Sequence, residues 1–343
     1  MPHLVAAPDK FAGTASAAEV AGAVAGAARA AGWTADEVPM SDGGEGLLEV
    51  LGGTAQYAIV EGPLGAPVRA EWRLRDAERG PGGEGPSAVV EMSRASGRSL
   101  LPRPRGEDPL RAGTTGVGQL LVAARDAGAR RIVIGCGGSA TTDGGLGAVE
   151  AVRRGGGLSG VDLVVACDVT TAFRDAAALF GPQKGADPAQ VATMTARLRA
   201  LAERYRAECG VDVDAIPGAG AAGGLAGGLA TLGARIVPGF DLVAELLGLA
   251  ARMVGADLAV TGEGHLDPPS FQGKVPGGVL RLARGHCPVL CIVGGADQDL
   301  VDTPPPGLEV ISLASRFGAT RSRERTAAVI AEVTTEALAR FCP

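Results

Sequence analysis

Apolar and polar positions along the chain follow two rhythms, and each predicts a different kind of structure. Over most of the chain, short apolar runs alternate with longer segments whose apolar residues repeat at helical spacing. Between residues 56 and 93 the pattern predicts successive strands with no helix between them. The predicted strands are 3–8, 34–40, 57–63, 66–74, 87–93, 131–136, 162–168, 256–264, 288–295 and 308–314, with 234–237 as a further candidate.

Helices are predicted between most of these strands. Ser16 and Glu19 fit a capping box at the start of the first helix, and Gly32 is placed to end it. The other helices are predicted near 45–52 and 114–128, from about 144, over about 187–208, after the glycine-rich run 218–228, over 240–255, after Lys274 and over about 321–341. Residues 75–87 are rich in glycine and charge, so they predict an exposed loop between two strands.

This order of elements predicts an α/β protein with two domains. Alternating strands and helices imply a largely parallel sheet covered by helices, and the strand-rich interruption implies a second, mixed sheet. The first two strands and the last three are predicted to form one Rossmann-like or flavodoxin-like sheet, with the middle of the chain inserted as the second domain. We place the boundaries near 45 and 255, so that 1–45 and 255–343 form one domain and 46–254 the other.

Length and charge agree with this picture and exclude several classes of function. A chain of 343 residues favours two domains over one. The net charge of -6 and the absence of a basic stretch argue against a nucleic-acid partner. No apolar run reaches the roughly 18 residues of a membrane helix, and no signal peptide is visible at the N-terminus, so a cytoplasmic protein is expected.

Lysine is scarce in this chain, and its few positions are therefore informative. Lysine and arginine together number 32, yet only Lys10, Lys184 and Lys274 are lysines, and each lies near glycine. Arginine can replace a solvated lysine easily, but not one whose compact ammonium has a specific partner. We therefore interpret the three lysines as candidates for binding phosphate or carboxylate, against the alternative that they remain on the surface by chance.

The predicted strand ends carry the candidate chemistry, because ligands of parallel sheets bind outside the carboxyl ends of the strands. Nearly every such end combines small residues with an Asp or Glu. Glycine lets a ligand approach backbone N–H groups, and a carboxylate beside a phosphate needs a cation such as Mg²⁺ between them. For a single loop, a capping Asp in a tight turn explains the pattern as well, but the repetition favours a site for a Mg-nucleotide. The residues concerned are Asp9 and Lys10; Asp42, Gly43, Gly44 and Glu45; Gly137, Gly138, Ser139, Thr141 and Asp143; Asp168; and Glu263 and Asp267.

One standard nucleotide motif is present in a weak form. Gly218, Gly220 and Gly223 match the spacing of a dinucleotide-binding loop, but they follow a proline within an Ala/Gly-rich run. We favour a closely packed loop and helix over an NAD site. The chain has no GxxxxGK[ST] phosphate loop and no GxSxG nucleophile motif, and its histidines support no zinc site.

The loops, taken in order, resemble those of bacterial class I glycerate kinases. The resemblance runs from residue 4 to about 295 and rests on the stretches APDKFAGTASAAEV, PMSDGGEG, GGSATTDGG, ACDV, FGPQKGA, GAGAAGG and TGEGHLD. It implies two α/β domains with the active site in the cleft between them. It also implies transfer of the γ-phosphoryl group of ATP to the 2-hydroxyl of D-glycerate, with Mg²⁺ as cofactor.

The resemblance also implies roles for the residues at the strand ends. Asp168, at the end of a central strand and without a neighbouring lysine in sequence, is the expected base, and Lys184 and Lys10 are the expected catalytic cations. Asp42, Glu45, Glu263 and Asp267 are expected to bind Mg²⁺ or orient the substrate. Substrate or nucleotide contacts are expected from Asp9, Gly43, Gly44, Gly137, Gly138, Ser139, Thr141, Asp143, Gly218, Gly220, Gly223 and Lys274.

Two alternatives remain open from the sequence. One is a kinase for a related small hydroxy acid such as tartronate, and the other is a non-catalytic two-domain protein that binds a small acid. The many acidic loop residues argue against a sensor of an anionic acid. The expected partners are ATP and D-glycerate, without nucleic acid or membrane, in a monomer or homodimer.

Overall fold

The computed structural model describes residues 1–76, 85–101 and 108–340. Contacts within the chain divide it into two units. Unit 1 comprises Met1–Asp42 and Phe240–Pro343, and unit 2 comprises Gly43–Gly239. The sequence placed the boundaries near 45 and 255. The structure groups the residues just after 239 with unit 1, where Arg281 pairs with Asp241 and forms a cation–π contact with Phe240.

The described residues form the following strands and helices. The strands are β1 (His3–Ala6), β2 (Thr34–Glu37), β3 (Thr54–Glu61), β4 (Pro67–Arg75), β5 (Ser87–Glu91), β6 (Arg131–Gly135), β7 (Asp162–Cys167), β8 (Arg235–Pro238), β9 (Leu258–Thr261), β10 (His265–Leu266), β11 (Val289–Val293), β12 (Gly295–Ala296) and β13 (Leu308–Ser312). The helices are α1 (Ala17–Ala30), α2 (Leu47–Leu51), α3 (Ser93–Ser96), α4 (Asp108–Arg111), α5 (Thr115–Asp126), α6 (Leu146–Arg154), α7 (Ala176–Phe180), α8 (Pro188–Cys209), α9 (Ala221–Ala230), α10 (Gly239–Leu246), α11 (Leu249–Met253), α12 (Val275–Ala283), α13 (Gln298–Asp302), α14 (Leu313–Phe317), α15 (Ala319–Glu324) and α16 (Thr326–Leu338). None of these helices is both long and apolar enough for a membrane crossing.

Unit 1 is built on a five-stranded sheet in the order β13-β11-β9-β1-β2, with every neighbouring pair parallel. The first two strands of the chain therefore pair with three strands from its last third, as the sequence predicts. When only the strands of this sheet are counted along the chain, β9 is the third strand. The order is then that of flavodoxin-like sheets, in which the direction of winding reverses between the first and third strands. That reversal lies between β1 and β9, and it opens a crevice at their carboxyl ends.

The core of unit 1 follows from the alternation along its strands. Leu4 and Ala6 of β1 share a buried cluster with Val260 of β9, and α1 and α16 pack against each other in the same cluster. The start of α1 is fixed by the predicted capping box, in which the Ser16 hydroxyl accepts from the Glu19 amide and the Glu19 carboxylate accepts from the Ser16 amide. A short parallel pair, β10 and β12, lies beside this sheet.

Unit 2 contains the mixed sheet that the sequence predicts. Its six strands follow the order β3-β4-β5-β6-β7-β8, antiparallel from β3 to β5 and parallel from β5 to β8. Ile132 and Ile134 of β6 are buried with Leu120 and Leu121 of α5. A second cluster under α8 includes Tyr205.

Three predicted elements are divided differently in the structure. The helix predicted over 240–255 is two helices, because Gly248 adopts a left-handed conformation with φ 64° between α10 and α11. The helix predicted over 321–341 is broken at Arg325, which separates α15 from α16, and residue 341 lies outside the described residues. The strand predicted over 308–314 ends at Ser312, whose hydroxyl caps α14. Most of the predicted loop 75–87 also lies outside the described residues.

Candidate active site

A cavity of about 490 Å³ opens in unit 1 at the carboxyl ends of β1 and β9. This is the position at which flavodoxin-like sheets bind ligands. The lining residues come from the loop after β1, from Asp42, from the turns after β9 and β11, from the start of α12 and from the α14–α15 region. They are Asp9, Lys10, Phe11, Ala12, Thr14, Asp42, Glu263, Gly264, His265, Lys274, Gly294, Gly295, Ala314, Ala319, Ser322 and Arg323.

The ends of β1 and β9 hold Asp9 and Glu263 in the cavity wall. Beyond β1, the Asp9 amide donates to the carbonyl oxygen of Gly262 at 2.8 Å, so the two segments that follow β1 and β9 remain paired after the strands end. Residue 262 has to be glycine, because a Cβ there would overlap the carbonyl oxygen of Ile292. This tight approach fixes the turn that presents Glu263.

Asp9 is a buried carboxylate with competing neighbours. Burial raises the pKa of Asp9 to about 7, the Lys10 ammonium opposes that rise, and the carboxylates of Asp42 and Glu263 add to it. The Lys10 amide donates to Asp9 Oδ1 at 2.7 Å, and the Lys10 Nζ lies 3.9 Å from the same oxygen. At this carboxylate the effect of burial therefore outweighs the attraction of the Lys10 ammonium.

Glu263 has an unsatisfied oxygen in the cavity wall. The residue is 8% exposed, and its Oε1 has no hydrogen-bond partner within the described part of the chain. Burial raises the pKa of Glu263, while Ser270 and the Lys274 ammonium lower it. A buried carboxylate oxygen without a donor indicates a ligand that brings a cation or a hydroxyl group.

The remaining predicted residues of unit 1 differ in their placement. Lys274 lies at the N-cap of α12 and lines the cavity. Asp267 is not among the lining residues, and its Oδ1 accepts from the amide and hydroxyl of Ser270 in a capping box. The structure therefore gives Asp267 a contact that stabilises a turn.

The sequence-based site list lacks four polar residues of this wall: Thr14, His265, Ser322 and Arg323. His265 Nε2 lies 3.1 Å from Asp297 Oδ1, and both side chains are exposed. Arg323 belongs to α15, far along the chain from the other lining residues. No motif marks it among the many arginines, so only the tertiary structure identifies it.

In unit 2 the predicted glycines hold strand ends close together. Gly43 lies against Ala166 of β7, and Gly44 lies against Gly137. Gly218 and Gly220 are buried and face the backbone near Val169 and Ala172, respectively. These contacts are with backbone and side-chain atoms of the protein, which is the closely packed arrangement favoured by the sequence.

Gly223 locks the glycine-rich run onto the loop after β6. It has φ 70°, and a Cβ at this position would overlap the carbonyl oxygen of Thr141. Its own carbonyl accepts from the Gly144 amide at 3.0 Å. Only glycine satisfies both the backbone angle and the close approach.

Asp143, a ligand candidate from the sequence, accepts its hydrogen bonds from the protein itself. Its Oδ2 accepts from the Thr114 amide at 2.9 Å, the Thr114 hydroxyl at 2.7 Å and the Gly147 amide at 3.2 Å, and its Oδ1 accepts from the Gly145 amide at 3.1 Å. Burial raises the pKa of Asp143, and these hydrogen bonds oppose the rise. The carboxylate thus binds the start of α6 to the start of α5.

Lys184 is buried rather than presented at a surface. It is 7% exposed, and its Nζ donates to the carbonyl oxygen of Thr141 at 2.6 Å. Burial lowers the pKa of Lys184 to about 7, Asp143 opposes this, and the Arg98 guanidinium adds to it. Lys184 therefore positions the loop that contains Ser139 and Thr141.

Asp168 follows β7 and is exposed. Its charge contributes to the raised pKa of Cys136 at the end of β6, after burial and Cys167, so the carboxylate lies near the start of the Gly137–Gly138 turn. Glu45 reaches the same turn, because a Cβ at Gly138 would overlap its Oε1. Within the described ranges, no group of three or more His, Cys, Asp or Glu side chains is arranged to hold a metal ion by itself.

Comparisons with known proteins all point to one family. The chain matches the model of the Glycerate kinase family over residues 4–154 and 153–342. It is 37% identical to glycerate 2-kinase of Escherichia coli over 90% of this chain and 89% of that protein. It is 38% identical to glycerate kinase of Halalkalibacterium halodurans over 87% of each chain.

The fold is shared with a solved structure as well. A crystal structure of a protein from Salmonella typhimurium LT2, assigned as glycerate kinase 2, superimposes with a TM-score of 0.79 at 32% identity, covering 99% of both chains. The likeness therefore extends across both units.

Proposed function

Because the chain belongs to the Glycerate kinase family, we propose that it transfers the γ-phosphoryl group of ATP to the 2-hydroxyl of D-glycerate. The product is 2-phosphoglycerate, and the proton of the hydroxyl leaves to a carboxylate base. The choice of the 2-position is supported by the name of the relative from Escherichia coli, which is glycerate 2-kinase.

The cavity at the β1–β9 reversal is the observation that carries this proposal. It brings Asp9, Asp42 and Glu263 together with Lys10 and Lys274. Phosphoryl transfer needs little covalent chemistry from the protein, but it needs both signs of charge at fixed positions. Lysines neutralise anionic oxygens of the reactants, and carboxylates orient hydroxyl groups and cations.

A divalent cation, which we propose is Mg²⁺, fits the residues of this cavity. Glu263 Oε1 is a buried anionic oxygen without a partner in the described chain, and Asp9 and Asp42 line the same space. Mg²⁺ in kinases is held by one or two carboxylates, with phosphate oxygens and water as the other ligands, so a preformed set of three protein ligands is not required. When bound, such an ion neutralises charge on the phosphate groups.

Asp168 is our candidate for the base in unit 2. Its carboxylate is exposed at the carboxyl end of β7, where a substrate hydroxyl can reach it. Lys184 is held against the same unit through the Thr141 carbonyl, so we propose that it positions a binding loop. The cytoplasmic location and the monomeric or homodimeric state stay predictions.

The proposal is tested by following ADP formation with D-glycerate, L-glycerate and tartronate, each with Mg²⁺ or with a chelator. We expect turnover with D-glycerate that depends on the metal. Phosphorus and proton NMR of the product then distinguish the 2-phosphate from the 3-phosphate. A 3-phosphate product contradicts the position, a preference for tartronate contradicts the substrate, and binding without turnover favours the non-catalytic alternative.

A further inference from the structure

The loop 137–142 of unit 2 has hydrogen-bond donors that the described protein leaves unused. The backbone N–H groups of Gly137, Gly138 and Ser139 donate no hydrogen bond to any described residue. All three residues are partly exposed, and Gly138 has φ 69°. Successive N–H groups in such a turn form a concavity that attracts anions.

A buried ammonium lies against the same loop. Lys184 has three N–H donors, and one of them is used by the carbonyl oxygen of Thr141 at 2.6 Å. Lys184 has no carboxylate within ion-pair distance in the described part of the chain. A cation that is more than nine-tenths buried and has spare donors is costly unless a ligand completes its partners.

Arg98 adds a second cation at this place, and nothing in the sequence distinguished it. Its amide donates to the Gly138 carbonyl at 2.9 Å, and Gly97 forms a β-bridge with Ser139. Its Nη1 lies 3.5 Å from the carbonyl oxygen of Gln183, the residue before Lys184. The Arg98 guanidinium therefore lies beside both the loop and the lysine, and it has no ion pair among the described residues.

The acidic groups near this cluster do not complete it. Asp143 faces Lys184, but its carboxylate already accepts four hydrogen bonds from the protein. Glu45 is exposed and brings one oxygen against Gly138. Burial is the main cause of the lowered pKa of Lys184, and repulsion by the Arg98 guanidinium adds to it; an anion between the two cations removes that repulsion.

We propose that Arg98, Lys184 and the amides of Gly137–Ser139 form an anion site that takes phosphate groups of the nucleotide. The identity of the ligand as ATP or ADP rests on the proposed function, whereas the anion site itself does not. Donors arrive from the backbone, from an ammonium and from a guanidinium, in several directions. The oxygens of a polyphosphate can accept from all of them, whereas the two oxygens of the glycerate carboxylate cannot.

The test compares binding of ADP and D-glycerate to the wild type, Arg98→Gln and Arg98→Lys by calorimetry. Losing a hydrogen bond to a charged group weakens binding by roughly tenfold or more. We expect that loss for ADP in Arg98→Gln, a smaller loss in Arg98→Lys, and D-glycerate binding within about twofold of wild type. Arg204→Gln is the control, because Arg204 is an exposed arginine of the same unit that pairs with Glu208 at 2.8 Å.

A second measurement uses inorganic pyrophosphate, which carries no adenine and is not a substrate. We expect pyrophosphate to raise the Tm of the wild type and of Arg204→Gln, and to leave Arg98→Gln unchanged. An unchanged Kd for ADP in Arg98→Gln, weaker binding of D-glycerate alone, or no stabilisation of the wild type by pyrophosphate would overturn the site. If the wild type shows no turnover with D-glycerate while pyrophosphate still depends on Arg98, the anion site stands and the proposed function falls.

Discussion

Unit 1 and unit 2 both place charged groups at the ends of parallel strands, but they assemble opposite kinds of site. In unit 1 the sheet order reverses between β1 and β9, and the resulting crevice collects Asp9, Asp42 and Glu263. In unit 2 the strands follow the chain order, and the loop after β6 collects unused donors with a buried lysine.

The two sites distort their ionisable groups in opposite directions. Burial raises the pKa of Asp9 to about 7 and lowers that of Lys184 to about 7. Each shift disfavours the charge that an isolated residue would carry. The comparison teaches that burial penalises charge of either sign, so the buried carboxylate of unit 1 favours a cation beside it and the buried lysine of unit 2 favours an anion.

The largest expected effect tests whether the reaction's base belongs to unit 2. Asp168→Asn removes the proposed base while keeping the size of the side chain. We expect kcat to fall by roughly two to four orders of magnitude, with the far-UV circular dichroism spectrum unchanged. Asp162→Asn, at the opposite end of β7, is the control and should keep wild-type kcat. A near-normal rate in Asp168→Asn would instead assign the role of base to a carboxylate of unit 1.

A second, smaller effect compares Lys184, which is buried in unit 2, with Lys274, which lines the cavity of unit 1. Lys184→Arg keeps the charge, but a planar guanidinium does not fit the buried space at Thr141. Displacing the loop by about 1 Å is expected to lower kcat/KM by on the order of a hundredfold. Lys274→Arg, at the half-buried start of α12, should be the milder change. Equal rates for both variants and the wild type would show that neither position needs a lysine.

Backbone packing gives a third comparison, through two glycines with similar angles. Gly223 of unit 2 has φ 70° and no room for a Cβ, whereas Gly13 of unit 1 has φ 75° and nothing within 4 Å of a Cβ. Alanine at Gly13 should cost about 1–2 kcal/mol for the left-handed backbone alone. Alanine at Gly223 should cost at least about 1 kcal/mol more, because Thr141 has to move. Denaturant unfolding measures both, and equal losses would mean that the overlap relaxes freely.

The smallest effect concerns pH and Asp9. In the folded protein the pKa of the Asp9 carboxyl is raised from 3.8 to about 7. Between about pH 4 and pH 7 the folded state therefore binds a proton at Asp9 that the unfolded state does not, so the free energy of unfolding falls as pH rises through this range. Asp9→Asn is neutral throughout. In a chelator, we expect it to be more stable than wild type by about 1 kcal/mol or more near neutral pH, with little difference near pH 4. A constant difference across this range would show that Asp9 does not titrate in it.

Local pattern was sufficient for the fold but not for the roles inside the site. The strand-rich stretch over 56–93 and the capping box at Ser16 each depend on residues that are close together in sequence, so the mixed sheet and the start of α1 were predictable. The break at Gly248 was not, because the apolar spacing continues on both sides of it. Helix periodicity therefore located the segment without locating its kink.

Local sequence pattern predicts the contacts within the candidate site less completely than it predicts the fold. The loop sequences identified Asp9, Asp42, Glu263 and Lys274, which the structure brings to one cavity. Two of the four hydrogen bonds to Asp143 come from Thr114, 29 residues away, and Lys184 donates to Thr141, 43 residues away. Arg323 reaches the cavity from the C-terminal region. Composition marked Lys184 as unusual, but only packing shows which atom it contacts.

The position of β1 in its sheet also has a consequence for synthesis of the chain. β1 lies between β2 and β9, so it lacks its second neighbour until residue 258 has left the ribosome. In unit 2 each strand can pair as soon as the next one is synthesised, because Gly43–Gly239 is continuous and its strands pair in the order in which they emerge. Vectorial synthesis therefore lets the inserted unit close its sheet first, while the strand that supplies Asp9 stays half-paired until the last third of the chain arrives.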